Sequence, residues 1–449
     1  MKKIIFLFLL FSAAAPLYAQ RTHTSETERR LEEQAMRSDM EQGADVSYEQ
    51  ILSDPDNIPL NIKYARTQIR NGDIKGASGT LERIMLLMPN SMNIKLLYAA
   101  VLYRLDDIPE AKAVLNGINE SGMSAQKISE KRMLESMIKR REKKYSIVSR
   151  AALGAAYDTN RNAFPDDSQI VYPDSSVLTL NGRKEDDFSM LGIFSADYER
   201  KAGKSGRNSF FLGGSYYISR QDTADNLNMD IFSGKAGFRF NQQKTAVVPQ
   251  LIYSALWLDG HSYINTAGAS LRTDRMLNNK NTVYAEGKFQ KQDYINYLDN
   301  ASNNDRDGFV YAGSIGWKTM MAGNMSLDSS VSYTGRDSEK KYYGSDTFSG
   351  NMNHFWILGG RKYLISSVSF SKEKYKAVNP LEANFIGDKR TDRIFRGSVN
   401  LGLPLPEKIA GKDTSLNLSY EYFHNSSSMK IYSYTNNKIT GTITWKFEM

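Results

Sequence analysis

Thr442-Ile443-Thr444-Trp445-Lys446-Phe447-Glu448-Met449 closes the sequence on a strict two-residue period. In an extended chain Ile443, Trp445, Phe447 and Met449 fall on one face and Thr442, Thr444, Lys446 and Glu448 on the other. The same pattern recurs upstream. Phe395, Val399, Leu401 and Leu403 share a face with Gly397, opposite Arg396, Ser398 and Asn400. Met325, Leu327, Val331 and Tyr333 oppose Ser326, Asp328, Ser330 and Ser332, and Val283, Ala285 and Phe289 oppose Glu286, Lys288 and Gln290. Phe232, Ala236, Phe238 and Phe240 oppose Ser233, Lys235 and Arg239.

The polar row decides what kind of sheet this is. Its charges sit in mid-strand, where burial unpaired in a dry core would be prohibitive. A membrane barrel avoids that cost by turning its apolar row to lipid and its polar row to a wet lumen. A soluble sandwich or propeller also has a polar face, so alternation alone leaves both open. Counting favours the barrel. Strands are expected near 146–158, 187–200, 208–220, 229–240, 246–258, 263–276, 281–294, 308–320, 325–336, 349–358, 363–374, 392–403, 415–424 and 436–449. Fourteen is an even number, and long connections (159–186, 295–307, 337–348, 375–391) alternate with short ones (201–207, 241–245, 321–324, 359–362). Outer-membrane barrels have long loops at one end and short turns at the other. Trp445 and Phe447 on the last apolar face resemble the C-terminal signal read by the barrel assembly machinery, with Met449 in place of a final aromatic.

Composition agrees. Only 41% of the 449 residues are hydrophobic, yet there are 26 Tyr, 20 Phe and 32 Gly, as expected of turn-rich strands that are half apolar. Helical membrane spans need about 20 consecutive apolar residues, and the one such run lies in the first 19 positions. Zero cysteines exclude disulfides, thiol catalysis and a lipidated N-terminal Cys. The net charge of +8 comes from well-mixed 58 basic and 50 acidic residues, a background that does not point to nucleic acid.

Lys2 and Lys3, the apolar run Ile4 to Ala15 and the small Ala19 read as a signal peptide over 1–19, directing the chain out of the cytoplasm. Residues 20–44 are charged and helix-prone, a linker or leading helix. Between 45 and 144 the chain repeats itself at an offset of 34 residues. Pro55 matches Pro89, and Tyr64, Ala65, Arg70 and Asp73 match Tyr98, Ala99, Arg104 and Asp107. Ile74, Ala77, Leu81 and Ile84 match Ile108, Ala111, Leu115 and Ile118. That is the tetratricopeptide period. The alanines suit close helix approach, and Gly72-Asp73 suits the turn between paired helices. Two copies are fewer than a stable stack needs, so the leading helix and a charged helix over 124–144 are expected to cap them. Such repeats offer a concave groove to a protein partner; here Arg66, Ile69, Arg70, Tyr103 and Arg104 are its expected lining. The fold class is therefore α+β multidomain: all-α tetratricopeptide-like repeats over 45–144, then a 14-stranded antiparallel transmembrane β-barrel over 145–449.

Candidate chemistry is thin. Four histidines (His23, His261, His354, His424) include no pair at metal-ligand spacing. His424 and Ser426 share the outward face of one strand, as a base and nucleophile would, but no companion motif orients the histidine, so catalysis is rejected. The loop acids Asp166-Asp167, Asp186-Asp187 and Asp305 to Asp307 read as solvated acid rather than calcium ligands. No metal, cofactor or catalytic residue is expected, and no enzyme. The lumen row includes Lys235, Arg239, Glu286, Lys288 and Arg396, mixed in sign, which counts against a dedicated anion route.

The order of signal peptide, short helical repeat and barrel resembles the surface lipoprotein assembly modifier family of Gram-negative bacteria. The most specific local match is Tyr157-Asp158-Thr159-Asn160-Arg161-Asn162, similar to the signature that opens that family's barrel. The resemblance implies an outer-membrane translocator that helps deliver lipoproteins to the cell surface, its periplasmic repeats binding client or chaperone. Its expected partners are client lipoproteins, outer-membrane lipids and the barrel assembly machinery. An exopolysaccharide export barrel and a porin with a periplasmic docking domain are the alternatives.

Overall fold

Asn57 and Asp73 each cap a helix by accepting a backbone N–H with the side chain, and the capping pattern returns one repeat later at Asp107. The computed structural model describes residues 45–171, 177–203, 208–242, 244–278, 280–296, 302–380, 388–411 and 413–449. The expected signal peptide over 1–19, the charged segment over 20–44 and His23 lie outside them. The described chain divides into a helical unit that ends at Lys144 and a barrel unit, Tyr145–Met449.

The helical unit comprises α1 (Tyr48–Ser53), α2 (Ile58–Arg70), α3 (Ile74–Leu87), α4 (Met92–Arg104), α5 (Ile108–Asn116) and α6 (Ala125–Glu142). Ile58 and Met92 open helices 34 residues apart, as do Ile74 and Ile108. Gly72 takes the left-handed conformation between α2 and α3 (φ 82°), and Asp106 holds the same place between α4 and α5 (φ 68°). Aspartate tolerates that region better than most residues, which explains the substitution. Ala65, Ala77, Ala99 and Ala111 are fully buried, and Leu81, Ile84, Leu115 and Leu134 complete one core with them.

The barrel inverts this arrangement. Its strands are β1 (Tyr145–Asp158), β4 (Asp187–Ala202), β5 (Asn208–Gln221), β6 (Met229–Gln242), β7 (Thr245–Leu258), β8 (His261–Met276) and β9 (Asn281–Tyr294). β10 (Gly308–Ala322), β11 (Met325–Ser338), β12 (Ser345–Gly359), β13 (Lys362–Tyr375), β14 (Thr391–Pro404), β15 (Thr414–Ser427) and β16 (Tyr434–Glu448) follow. Each pairs antiparallel with its neighbours, and β1 closes the ring on β16 from Val148↔Glu448 to Asp158↔Lys438. Main-chain bonds between Ile147 and Met449 extend that seam by one rung. A short hairpin, β2 (Gln169–Val171) with β3 (Val177–Thr179), stands in the first long loop, and a four-residue helix, α7 (Glu407–Ala410), in the β14–β15 connection. Neither is expected from periodicity, because three or four residues carry too little of a period to register.

Leu153, Phe194, Leu251, Phe289, Ile315, Val331, Val368, Val399 and Ile443 are exposed on the outside, forming the apolar belt. No helix of the described residues is long and apolar enough to cross a membrane; the crossing is made by strands. Tight turns keep the strands in register. At β7–β8, Asp259 and Gly260 both have positive φ (49° and 76°), the two-residue geometry that matches strand twist.

Candidate functional site

Three regions concentrate polar chemistry. The first is the barrel interior. Register places Lys235, Arg239, Glu286, Lys288 and Arg396 on inward-facing positions, each opposite the outward row. They do not form one stripe; the structure distributes them over separate patches, several tied by ion pairs. Lys235 Nζ reaches Asp197 (3.1 Å) across β5, and Arg150 approaches the same carboxylate (3.7 Å). Gly213 lies beneath: a Cβ there would stand 2.5 Å from both Asp197 Oδ1 and Lys235 Cε, so only glycine leaves the bridge its path. Glu286 joins Arg272 (3.6 Å), which also holds Asp274 (2.9 Å) and stacks over Tyr284 (3.9 Å). Tyr284 donates to Asp328 (2.8 Å), itself 3.6 Å from Lys318. Arg396 lies 3.8 Å from Glu421 and over the Phe423 ring. Positive and negative groups thus neutralise each other along the wall.

The second region is the long-loop end. Here inward positions turn apolar and aromatic. Leu227, Met229, Leu256, Leu258, Tyr263, Ile264 and Tyr294 bury one another. Arg306, from the β9–β10 loop, is buried, donates to Tyr263 Oη (2.9 Å) and lies over Tyr343. Arg336, on β11, lies near Glu373 and the rings of Tyr263, Tyr294 and Tyr375. Arg390 stacks on Tyr432 (3.4 Å) and Tyr375 (4.7 Å) while gripping Asp392 through two nitrogens. Phe423, Tyr434 and Ala163 form a further buried group, and Arg161 donates to Leu227 O (3.2 Å), returning to the start. The result is a collar of arginine and aromatic side chains running round the inside of this end. Sequence reasoning missed it. The available signal was apolar or aromatic residues on the lumen row close to the long loops.

The third region contains the signature residues. Asp158 is buried on the inner face, accepts from Asn436 Nδ2 and lies 3.8 Å from Lys438 of β16. Asn160 is 2% exposed; its amide donates to Phe164 O (2.8 Å) and Thr435 O (3.1 Å), and its oxygen accepts from Phe164 N (2.8 Å). Asn162 donates to Arg183 O and accepts from Glu185 N, holding the two limbs of the first long loop together. Tyr157 Oη donates to Asp186 (2.6 Å), and that bond holds the Asp186 carboxyl below its usual range. Asp166 is partly buried, which works to raise its pKa, but bonds from Lys184 and Thr435 hold it below the usual range. The signature is therefore a latch between the first loop and the closing strand. Loop acids are consumed by these bonds: Asp187 accepts from Thr223 N and Ala224 N, and Asp307 from Tyr294 N. Among the described residues no cluster of three metal-ligating side chains occurs. His424 Nδ1 lies 3.0 Å from Thr435 Oγ1, and Ser426 is exposed one rung away.

In the helical unit the expected groove needs correction. Ile69 is fully buried and Tyr103 is 8% exposed; both belong to the core, so neither lines an open surface. Tyr103 is covered because α6, whose Leu134, Met137 and Ile138 join that core, packs on α4, whereas Ile69 is enclosed where α2 packs against α3. Arg66 and Arg104 remain half-buried, and Arg70 is held by Asp45 (2.6 Å). Among the described residues an open cleft of about 310 Å³ lies among α1, α2 and α3, lined by Tyr48, Leu52, Tyr64, Gly79, Thr80 and Arg83. Tyr48 and Leu52 are 56% and 62% exposed, and no atom would meet a Cβ on Gly79.

Among solved structures the chain is similar to the outer membrane channel DcaP of Acinetobacter baumannii (10% identity, TM-score 0.37, covering 68% of this chain and 97% of that one). It is also similar to OmpT, an outer membrane protein of Vibrio cholerae (7%, TM-score 0.38, 68% and 98%), and to an anion-selective porin from Comamonas acidovorans (8%, TM-score 0.37, 68% and 99%). No curated protein matches. Residues 203–447 match the family model described as surface lipoprotein assembly modifier, SlipAM. The family and the barrel fold are those of non-enzymatic outer-membrane proteins. The chain belongs to the surface lipoprotein assembly modifier family and is an outer-membrane barrel protein involved in surface lipoprotein assembly.

Proposed function

We propose that this protein delivers lipoproteins to the cell surface without a catalytic step, its helical unit binding the client or the client's chaperone on the periplasmic side. The observation that carries the reading is the joining, in one chain, of the family-matched barrel to a helical unit with an exposed apolar cleft. Topology supports the orientation. Tyr145 and Glu448 both stand at the short-turn end, the periplasmic end in outer-membrane barrels. The barrel assembly machinery inserts the strands, and outer-membrane lipids solvate the belt.

The lumen supports a protein handler over a porin. Its charges are mixed in sign and several are paired, so no one-sign steering field for anions is built, and apolar and aromatic side chains line the long-loop end. The test compares intact wild-type and deletion cells, labelled with a membrane-impermeant reagent and read by mass spectrometry. Loss of labelling from one or a few lipoproteins at constant total abundance is expected. An unchanged labelled proteome overturns delivery and makes surface polysaccharide the next quantity to assay. Tyr48→Glu with Leu52→Glu is expected to abolish client or chaperone capture by the full-length protein while the barrel still folds.

A further inference from the structure

The outer surface of β13 and β14 carries a feature the delivery reading does not use. Counting rungs from the belt toward the long loops, Phe370 stands opposite Phe395, and Phe395 opposite His424. One rung further, Phe348, Lys372, Arg393 and Ser426 form the next row across β12 to β15. Lys374 lies one rung beyond, opposite Thr391. All these side chains point outward, because they keep parity with the exposed Phe348, Phe370 and Phe395. Lys372 and Arg393 are therefore like charges placed directly across a strand pair, an arrangement that destabilises a bare sheet.

Elsewhere outward cations near the loops are neutralised. Arg220 grips Asp230 through two bonds (2.8 and 3.0 Å), and Lys291 holds Asp293 (2.7 Å). Among the described residues Lys372, Lys374 and Arg393 have no carboxylate in ion-pair contact. Asp346, opposite Lys374 in register, is occupied by Tyr333 Oη (2.6 Å) and Lys376 (3.9 Å). Three cations with no carboxylate partner among the described residues thus sit one step above an aromatic belt, at the depth of lipid headgroups.

We propose that Lys372, Lys374 and Arg393 bind the phosphate of an outer-leaflet lipid headgroup, with Phe348, Phe370 and Phe395 packing against its acyl chains. A phosphate between Lys372 and Arg393 turns their mutual repulsion into two attractions. The Arg393 guanidinium presents paired donors to its oxygens, and Lys374 adds a point charge from the next rung. The leaflet assignment rests on the orientation given under the proposed function.

The test uses the full-length protein in detergent, with lipid A, dephosphorylated lipid A and inorganic phosphate as separate probes, read by native mass spectrometry. Wild type is expected to retain lipid A. The Lys372→Gln, Lys374→Gln, Arg393→Gln variant is expected to retain it about a hundredfold more weakly, since each cation near a charged headgroup contributes about fivefold. Arg220→Gln is expected to match wild type, and dephosphorylated lipid A to bind wild type no better than the triple variant. Heat-modifiable gel migration checks that each barrel has folded, and Arg393→Gln alone, with an intermediate loss, serves if the triple variant fails. Equal retention by wild type and variant overturns the proposal. So does equal binding of dephosphorylated lipid A, or inorganic phosphate binding as tightly as lipid A. An acidic protein lost from the variant while lipid A stays bound also overturns it, in favour of a protein partner. The sequence has no cysteine, so Lys389→Cys labelling on intact cells reads orientation separately. Absent labelling overturns the outer-leaflet assignment, whereas the surface-lipoprotein comparison judges delivery by itself.

Discussion

The helical unit and the barrel solve opposite problems with the same residues. In the helices Leu81, Ile84 and Leu115 are hidden and charges face water; in the barrel Leu251, Phe289 and Val368 face outward and Lys235, Arg272 and Asp328 face in. The difference lies in the surroundings. Water outside the helices drives apolar side chains inward, whereas hydrocarbon outside the strands removes that drive and makes an outward charge the costly one.

Substitutions can break this contrast. The largest effect is expected for Leu81→Ala, which empties a fully enclosed site in the helical core and costs about 3–5 kcal/mol. Circular dichroism of the full-length protein checks it: the helical transition falls while heat-modifiable barrel migration stays. Leu251→Arg comes next. It places a charge on the lipid face of mid-β7 and is expected to cost about 2–4 kcal/mol in a folding titration in lipid vesicles. Lys235→Ala, facing the wet interior, is expected to cost less than half as much; equal costs would mean the two faces are assigned wrongly. Asn160→Ala is expected to cost about 1–3 kcal/mol locally by stranding the buried groups it bonds. Faster proteolytic nicking within 159–186, with the barrel intact, is the readout.

The smallest expected effect is a pH dependence at the Glu120–Lys131 pair (3.0 Å). The bond from Lys131 holds Glu120 below the usual carboxylate range, and the bond to Glu120 holds Lys131 above the usual lysine range. The Glu120 contribution is therefore full above the ordinary carboxylate pKa and lost as pH falls through its depressed value. The Lys131 contribution is full below the ordinary lysine pKa and lost as pH rises through its raised value. Helical melting temperature should be flat between those limits, and the difference between wild type and Lys131→Met should vanish at both extremes.

Alternation made the barrel strands legible where the lumen row stays polar through mid-strand, as at Lys235 of β6, Glu286 and Lys288 of β9 and Arg396 of β14. Near the long loops the rule fails, since Leu256, Leu258, Ile264 and Tyr294 are apolar yet point inward. A register shift between Leu256 and Trp257 further blurs the period where β7 meets β8. The collar was hidden for that reason. In the helical unit, counting through the repeat located the faces of α2 and α4 but not what covers them. Ile69 and Tyr103, expected on an open groove, are buried in the core instead. The signature residues stood out in the sequence, yet their pairing with Asn436 and Thr435 depends on the far end of the barrel, and residues 157–162 lie outside the stretch that matches the family model.

Asp158 and Asn436 are 278 residues apart along the chain. Contacts so distant in sequence make for slow folding, because the ends of a very long loop must meet before any bond rewards them. The latch therefore cannot form until β16 has come round to β1; before that Asp158 lacks Asn436 and Lys438, and Asn160 lacks its bond to Thr435. It belongs to the last contacts of barrel closure, not to the first.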